Sequence, residues 1–289
     1  KFNEACRSQV QTNTENWERV TRKIGRWVDF DNDYKTMDLD FMESVWWVFK
    51  ELWENDLIYK DYKVLPYSWA AATPLSNFEA NMDYRDVEDP SIFFTLKARL
   101  DHNKIKKDDE FLVWTTTPWC IPGNLAIAVG NNIKYSRVLL NKKHYWIATE
   151  RLDELKEHDY EIVDESIGSE LVGGEYIPAY DEYEKEYLNG AFRIIHSDDT
   201  NTESGSGLVS QAPAYGESDF YALKKGGIDV IVDPVTLSGK FDETIKGLEN
   251  KFVKDADTNI MEQLEERNLL FSRTTETHSY PFCWRTGEP

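Results

Sequence analysis

The sequence predicts a mixed α/β chain of the α+β type, in which helical and β-rich segments occupy different stretches. Residues 1–63 are aromatic and carry helical spacing, whereas residues 64–147 contain short runs typical of strands. The chain has 289 residues, of which 40% are hydrophobic and 13% aromatic. This is enough apolar material for a buried core, and one large domain or two smaller ones are expected.

The helices are predicted from apolar spacing and from residues that begin or end helices. A helix is expected over 12–23, with Gly25 just past its end. A second is expected over 40–53, with Asp38 or Asp40 as its N-cap. Its tryptophans at positions 46, 47 and 53 are interpreted as core residues. Further helices are expected over 149–158, after Ser218, and over 257–268.

The strands are predicted from short segments rich in β-branched and aromatic residues, bounded by turn residues. They lie at 91–97, 110–117, 125–129, 135–140 and 208–212. Between them, residues 198–207 form a loop by composition, because Gly, Ser, Asp, Asn and Thr dominate there.

Charge and cysteine content exclude several classes of protein. The net charge of −20 argues against a broad nucleic-acid-binding face, because phosphate contacts need Lys and Arg. The cysteines at positions 6, 120 and 283 form neither a disulfide framework nor a CxxC pair, and the histidines lack metal-ligand spacing. No apolar run approaches the ~20 residues that span a bilayer. The sequence therefore predicts a protein of a reducing compartment without a membrane anchor.

The first candidate site is the run WTTTPWCIPGNLAIAV at residues 114–129. If the threonines are extended, Thr115 and Thr117 share one face of the strand and Thr116 takes the other. Pro118 favours an extended Thr117. Such a row of hydroxyls could hold a small polar ligand and orient a water. An ordinary strand end with satisfied hydroxyls is the alternative.

The second candidate site is the run GSGLVSQAPAYGESDF at residues 205–220. Its first two glycines allow close approach of the backbone. Ser218 is a candidate N-cap, and Gly226 with Gly227 ends the helix. Asp219 then lies in the first turn, where free N–H groups keep a carboxylate ionised and able to hold an ammonium group. Alternatively, Asp219 only complements the helix dipole.

Several catalytic motifs are missing. The sequence contains no GxGxxG after a strand, no GxxxxGK[ST], no GxSxG and no HExxH. No histidine lies near either candidate site in sequence. Catalysis by a side-chain nucleophile is therefore unsupported.

The two runs together resemble the editing domain, also called connective peptide 1, of the isoleucyl-tRNA synthetase family, most closely its eukaryotic cytosolic type. The similarity covers the whole chain in order, including IGRWVDFDNDYKTMD at 24–38, TPLSNFE at 73–79 and HSYPFCWR at 278–285. The family's HIGH and KMSKS signatures are absent. The resemblance implies a fragment of a longer protein that hydrolyses Val-tRNA(Ile) and does not activate isoleucine with ATP.

The resemblance also implies an architecture and site residues. It implies a β-barrel-like editing domain with peripheral helices at 66–277, preceded by a helical piece of the catalytic domain at 1–65 and followed by a return strand at 278–289. These two flanking pieces are expected to pack together. The implied catalytic residues are Asp219, Thr115, Thr116 and Thr117, and the implied substrate-binding residues are Trp114, Asn124, Ser210 and Ala212.

The implied partners are the 3′ end of tRNA(Ile) carrying valine and the remainder of the synthetase. A cytoplasmic monomer is expected. No metal or cofactor is implied for the fragment, whereas the parent enzyme uses ATP and Mg²⁺.

Three positions separate this chain from its relatives. Thr117 stands where the leucine and valine enzymes carry Arg, which favours the isoleucine branch. Ser210 replaces the family's usual histidine, so rejection of isoleucine is expected to depend more on the threonines. Ser218 replaces a common acidic residue. The alternatives are a non-catalytic tRNA-docking insertion that has lost hydrolysis and an editing domain of the valyl or leucyl type.

Overall fold

The computed structural model describes residues 1–289, and its internal contacts divide the chain into two units, Lys1–Tyr62 and Lys63–Pro289. The first unit contains helices α1 (Phe2–Gln11), α2 (Thr14–Lys23) and α3 (Leu39–Glu54). Helices α2 and α3 confirm the two predicted helices, and Asp38 is the extended N-cap of α3. Helix α1 was not delimited by the sequence. None of the helices combines the length and the apolar content that a bilayer-spanning segment requires.

The tryptophans of α3 are not core residues in this unit. Trp46, Trp47 and Trp53 are 69%, 62% and 51% exposed, and none of the three helices contains a buried residue. The prediction that they form a core is therefore wrong for these 62 residues, because three short helices supply no second layer to cover the apolar side of α3.

The second unit is a mixed α/β domain, which confirms the predicted fold class. A small pair of strands comes first, and a larger mixed sheet follows with helices around it. In chain order the elements are β1 (Tyr67–Ser68), β2 (Thr73–Pro74), α4 (Asn77–Ala80), β3 (Tyr84–Lys97), β4 (Glu110–Thr115), β5 (Ala126–Val129), β6 (Lys134–Leu140), β7 (Lys143–Ala148), β8 (Tyr160–Ile167), α5 (Gly168–Leu171), β9 (Arg193–His196), β10 (Val209–Gln211), α6 (Glu217–Lys225), α7 (Val253–Glu266) and β11 (Leu270–Pro281), with 3-10 helices at Pro118–Gly123, Thr149–Leu155 and Glu184–Asn189.

The main sheet runs in the order β8-β6-β7-β4-β10-β5-β9, and β3 joins β4 to β11. Strands β4 and β10 are parallel, with Val209 opposite Trp114, whereas β10 and β5 are antiparallel. Strand β5 is an interior strand between β10 and β9, and it is buried along its whole length. The core centres on these strands and includes Ile92, Phe94, Phe111, Val113, Ile127 and Trp146, all 0% exposed.

A long antiparallel ribbon of β3 and β11 extends from Phe94 and Leu270 to Tyr84 and Pro281. The predicted return segment, residues 278–289, thus begins inside β11. The predicted domain boundaries at 65 and 277 stay predictions. Several expected elements differ in extent. Strand β3 begins seven residues before Ser91, and β4 ends two residues before Thr117. The helix expected over 149–158 is a 3-10 helix that ends at Leu155, and α7 begins four residues before Asp257.

Candidate functional site

The threonines of the first candidate site form a hydrogen-bonded pair at the end of β4. The strand ends at Thr115, so the prediction that it continues to Thr117 is wrong. Even so, the hydroxyl oxygens of Thr115 and Thr117 are 3.2 Å apart, and the Thr117 N–H donates to Thr115 Oγ1 at 3.1 Å. Thr115 and Thr117 therefore face the same side, as predicted. We call Thr115–Thr117 the threonine row; all three residues are partly buried.

Asp219 lies in α6, and the segment that follows β10 holds it at the same end of the sheet. Because β10 is parallel to β4, the residues that follow each strand emerge at a common edge. Ala212 follows β10 directly, and its N–H donates to Asp219 Oδ2 at 2.8 Å. The two runs that the sequence singled out thus meet at one place in the fold.

Helix α6 holds Asp219 in its first turn, as predicted, but begins earlier than expected. Its N-cap is Gly216, so the prediction of Ser218 as N-cap is wrong. A Cβ at Gly216 would lie 2.8 Å from Asp219 Cγ, so a larger residue there would displace the carboxyl group. The Ser218 hydroxyl lies 3.4 Å from Asp219 Oδ1, and Gly227 follows the helix with a φ of +74°. The predicted stop at Gly226 and Gly227 is confirmed.

Burial raises the pKa of Asp219 above its usual value. The N–H of Ala212 and the Ser218 hydroxyl act in the opposite direction, because hydrogen bonds favour the ionised carboxylate. The first turn of α6 was expected to favour the ionised form of Asp219, but the net shift of its pKa is upward, because desolvation has the larger effect. A bound cation would stabilise the charged form, so the site is suited to an ammonium group.

Asn124 and Ser210 are joined in a buried network beside the threonine row. Asn124 is 6% exposed, and its amide Nδ2 donates to Ser210 Oγ at 2.9 Å and to the Ala126 carbonyl at 2.8 Å. The Tyr176 hydroxyl donates to Asn124 Oδ1 at 2.6 Å. The network fixes the Ser210 hydroxyl. Tyr176 was missed because it lies 52 residues from Asn124 in a segment without regular structure.

Trp114 packs beneath the glycine-rich loop. Its indole N–H donates to Ser91 Oγ at 2.7 Å. Gly205 has a φ of +66°, and a Cβ there would lie 2.7 Å from the indole ring. The backbone at Gly205 therefore lies close against the indole ring of Trp114. The Arg151 guanidinium donates to the Gly205 carbonyl at 2.8 Å and ties down the loop.

Cys120 and Tyr215 are two further residues near the site that were not predicted to take part in it. The Cys120 thiol contacts the Thr117 side chain, and burial raises the pKa of that thiol, with the charge of Asp219 adding to the effect. Cys120 is thus held as a neutral thiol, a poor nucleophile. The Tyr215 ring packs on Trp119 with centroids 4.8 Å apart, which joins the segment after β4 to the segment after β10.

Other features do not extend the site. No group of three or more His, Cys, Asp or Glu side chains could hold a metal ion. Two surface hollows lie elsewhere: one is lined by residues that include His158 and Tyr160, and the other, of 280 Å³, by residues that include Arg193 and Lys225. Neither hollow includes the threonine row or Asp219. Within the two runs, the polar side-chain groups that meet at the end of β4 and β10 are hydroxyls, the Asn124 amide, the Cys120 thiol and the Asp219 carboxylate.

Comparisons with known proteins place these residues in a family context. The family model described as tRNA synthetases class I (I, L, M and V) matches residues 1–212. The isoleucine–tRNA ligase of Protochlamydia amoebophila is 44% identical over 293 residues, which cover 100% of this chain and 28% of the relative. The cytoplasmic isoleucine–tRNA ligase of Mus musculus is 42% identical, with 100% and 23% covered. The chain spans about a quarter of the length of these relatives.

Solved structures with a similar fold are more distant in sequence. The P. knowlesi cytosolic leucyl-tRNA synthetase editing domain has a TM-score of 0.47 and 9% identity, with 67% of this chain and 96% of that chain covered. The crystal structure of GlLeuRS-CP1 has a TM-score of 0.48 and 12% identity, with 66% and 99% covered.

Proposed function

The chain belongs to the class I tRNA synthetases of the I, L, M and V group, and we propose that it is the editing part of an isoleucine–tRNA ligase, which hydrolyses Val-tRNA(Ile). The observation that carries this proposal is the meeting of the threonine row with Asp219 where β4 and β10 end. Its partners would be the valine-carrying 3′ end of tRNA(Ile) and the remainder of the synthetase. The fragment would act in the cytoplasm as a monomer, without ATP, Mg²⁺ or another cofactor.

Such an activity answers a known limit of selection by size. One methylene in an apolar pocket changes binding by only about 1–3 kcal/mol, and the pair isoleucine and valine is the established example of this limit. A second site that admits the smaller side chain and hydrolyses its ester corrects the errors of the first.

Each residue has a role in this proposal. Asp219 binds the α-ammonium of the valyl group, because it is the carboxylate fixed at the rim by Ala212. Thr115, Thr116 and Thr117 hold the terminal adenosine and orient the attacking water. Asn124 and Ser210 form one side of the pocket, while Trp114 and Ala212 shape its apolar part.

The reaction is a simple ester hydrolysis. The oriented water attacks the carbonyl carbon of the valyl ester, the bond from that carbon to the ribose oxygen breaks, and the ribose oxygen takes up the proton that the water loses. The products are valine and uncharged tRNA(Ile). Cys120 is a neutral thiol and therefore a poor nucleophile, and the roles assigned to the other side chains are to bind and position the ester and the water.

The first alternative, a non-catalytic tRNA-docking insertion, is suggested by the net charge of −20 and by Ser210 in place of histidine. The second alternative, an editing domain of the leucyl or valyl type, is disfavoured by Thr117. Its side chain pairs with Thr115 and occupies the place of the Arg that the resemblance assigns to those enzymes.

Three aminoacylated tRNAs distinguish the proposed function from its alternatives. The 289-residue chain is expected to release valine from Val-tRNA(Ile) well above the spontaneous rate and to leave Ile-tRNA(Ile) largely intact. Binding of Val-tRNA(Ile) without turnover would support docking instead. Faster release of threonine from Thr-tRNA(Val) than of valine from Val-tRNA(Ile) would support the valyl type.

A further inference from the structure

Asp257 is a buried carboxylate on a helix that the candidate site does not include. It lies in the second turn of α7 and is 5% exposed. Its Oδ1 accepts the N–H of Trp119 at 2.8 Å, across 138 residues of sequence. Trp119 is the second residue of the 3-10 helix Pro118–Gly123, where N–H groups lack partners within the helix. The carboxylate therefore anchors the turn that follows the threonine row.

That turn is tied directly to Thr117. The Cys120 N–H donates to the Thr117 carbonyl at 3.0 Å, and the Cys120 thiol contacts the Thr117 side chain. Thr117 in turn pairs with Thr115 at 3.2 Å. A displacement of Trp119 would thus be passed to both hydroxyls through a chain of short contacts.

We infer that Asp257 is a positioning residue for the proposed hydrolysis, because its carboxylate fixes the turn Pro118–Cys120 and through it the hydroxyls of Thr115 and Thr117. The inference rests on the proposed function. Asp257 acts only through the backbone of Trp119 and does not touch the substrate.

Asp257 does not form an ion pair with the nearest cation, Lys254. Lys254, one turn earlier on α7, pairs instead with Asp89, which also accepts from His278 Nε2 at 2.9 Å. Burial raises the pKa of the Asp257 carboxyl to about 7, although the Trp119 N–H and the charge of Lys254 lower it. The titratable groups that face Asp257 are Lys254 on α7, Asp89 on β3, Tyr280 on β11 and Cys120 on the turn, with His278 beyond Asp89.

The position of Trp119 should consequently depend on pH. An ionised carboxylate accepts a hydrogen bond more strongly than a neutral acid. Above pH ~7 the turn is held firmly, and below it the hold weakens. This dependence separates positioning from a purely structural role, which would lower activity equally at every pH.

The test compares Asp257→Asn with the parent chain in deacylation of Val-tRNA(Ile) between pH 6 and pH 8.5. Since a charged hydrogen bond exceeds a neutral one by about 1 kcal/mol, kcat at pH 8 should fall roughly fivefold with KM unchanged. The parent-to-variant ratio should approach one near pH 6. Taking the ratio cancels the titration of the substrate's own amino group. Asp255→Asn, the same change at an exposed position of α7, is the matched control and should behave as the parent.

Thermal unfolding supplies an independent readout. Because folding raises the pKa of Asp257, the folded state holds its proton more tightly, and the parent should lose stability as pH rises from about 4 to about 7. Asp257→Asn should lack this loss, so it should gain thermal stability relative to the parent at pH 8 while its kcat falls.

The amide of Trp119 in the parent chain gives a test that needs no variant. Its protection from hydrogen exchange, corrected for intrinsic exchange, should increase as pH rises through about 7. Constant protection, or a parent-to-variant rate ratio that does not change with pH in an active chain, would overturn the role of Asp257 alone. A parent chain that cannot hydrolyse Val-tRNA(Ile) at any pH would overturn the proposed function, and this inference with it.

Discussion

The substitution Asp219→Asn tests the ammonium contact most directly. Asparagine keeps the shape of the side chain and an oxygen that can accept the Ala212 N–H, so the fold should be preserved. Only the charge is removed. A charged hydrogen bond contributes about 1.5–3 kcal/mol, and the burial that raises the pKa of Asp219 places this contact in the upper half of that range. A loss of about 2–3 kcal/mol corresponds to a roughly 30- to 150-fold decrease in kcat/KM.

The assay is release of labelled valine from Val-tRNA(Ile), with the spontaneous rate subtracted. Glu217→Gln is the matched control, because Glu217 is an exposed carboxylate in the same turn of α6 and shares the same helix terminus. It should change kcat/KM by less than about twofold, as an exposed charge contributes little. Equal losses in the two variants would mean that only the general charge at the helix terminus matters.

A second substrate isolates the contact itself. When the α-ammonium of valine is replaced by a hydroxyl, in the 2-hydroxy-3-methylbutanoyl ester, Asp219 loses its ionic partner. Asp219→Asn should then change hydrolysis by no more than a few fold. If the variant is as impaired on this ester as on Val-tRNA(Ile), or if it hydrolyses Val-tRNA(Ile) as fast as the parent, the assignment of Asp219 is refuted.

Three further substitutions test the supports of the site. Gly216→Ala should reduce Val-tRNA(Ile) deacylation roughly 5- to 150-fold while the chain still folds by circular dichroism, because the new Cβ would lie 2.8 Å from Asp219 Cγ and overpacking costs about 1–3 kcal/mol; unchanged deacylation would contradict the reasoning. Tyr176→Phe leaves the buried Asn124 Oδ1 without its donor, so the thermal midpoint should fall by several degrees for a loss of about 1–3 kcal/mol, and an unaltered midpoint would refute this. Ser210→His should increase the preference for Val-tRNA(Ile) over Ile-tRNA(Ile), and equal discrimination by variant and parent would disprove the role given to Ser210.

The parts of the fold that were predicted correctly are those with strong local signals. The uninterrupted apolar run AIAV of β5, for example, predicted a buried strand. Which strands pair with β5, and in which direction, could not be predicted from its sequence. Strands β7, β8 and β9 were missed because apolar and polar residues do not alternate clearly within them. The extent of β11 was missed for a different reason: its exposed threonines and charges pair with β3, and only that partner makes them a strand.

The candidate site shows the same division. Thr115, Thr117 and Asp219 were noticed as a row of hydroxyls at a strand end and a carboxylate in a first helical turn, but both features also occur in ordinary structure, and it was the family resemblance that assigned them to one site. Tyr176 and Asp257 carried no such signal. Tyr176 lies outside regular structure, and Asp257 looks like one more acid on a polar helix until the fold buries it against Trp119. Their roles depend on contacts between distant segments, which a single sequence does not encode locally.

The threonine row itself illustrates how a wrong local prediction can lead to a correct arrangement. Extended geometry through Thr117 was expected to place two hydroxyls on one face. Instead β4 ends at Thr115, and the Thr117 N–H turns back to Thr115 Oγ1. The hydroxyls still converge, but the side-chain-to-backbone bond that brings them together is weaker than a strand ladder. The row therefore needs support from outside, and the Trp119–Asp257 bond supplies it. On this reasoning the geometry of the site is set as much by α7 as by the strand from which its threonines emerge.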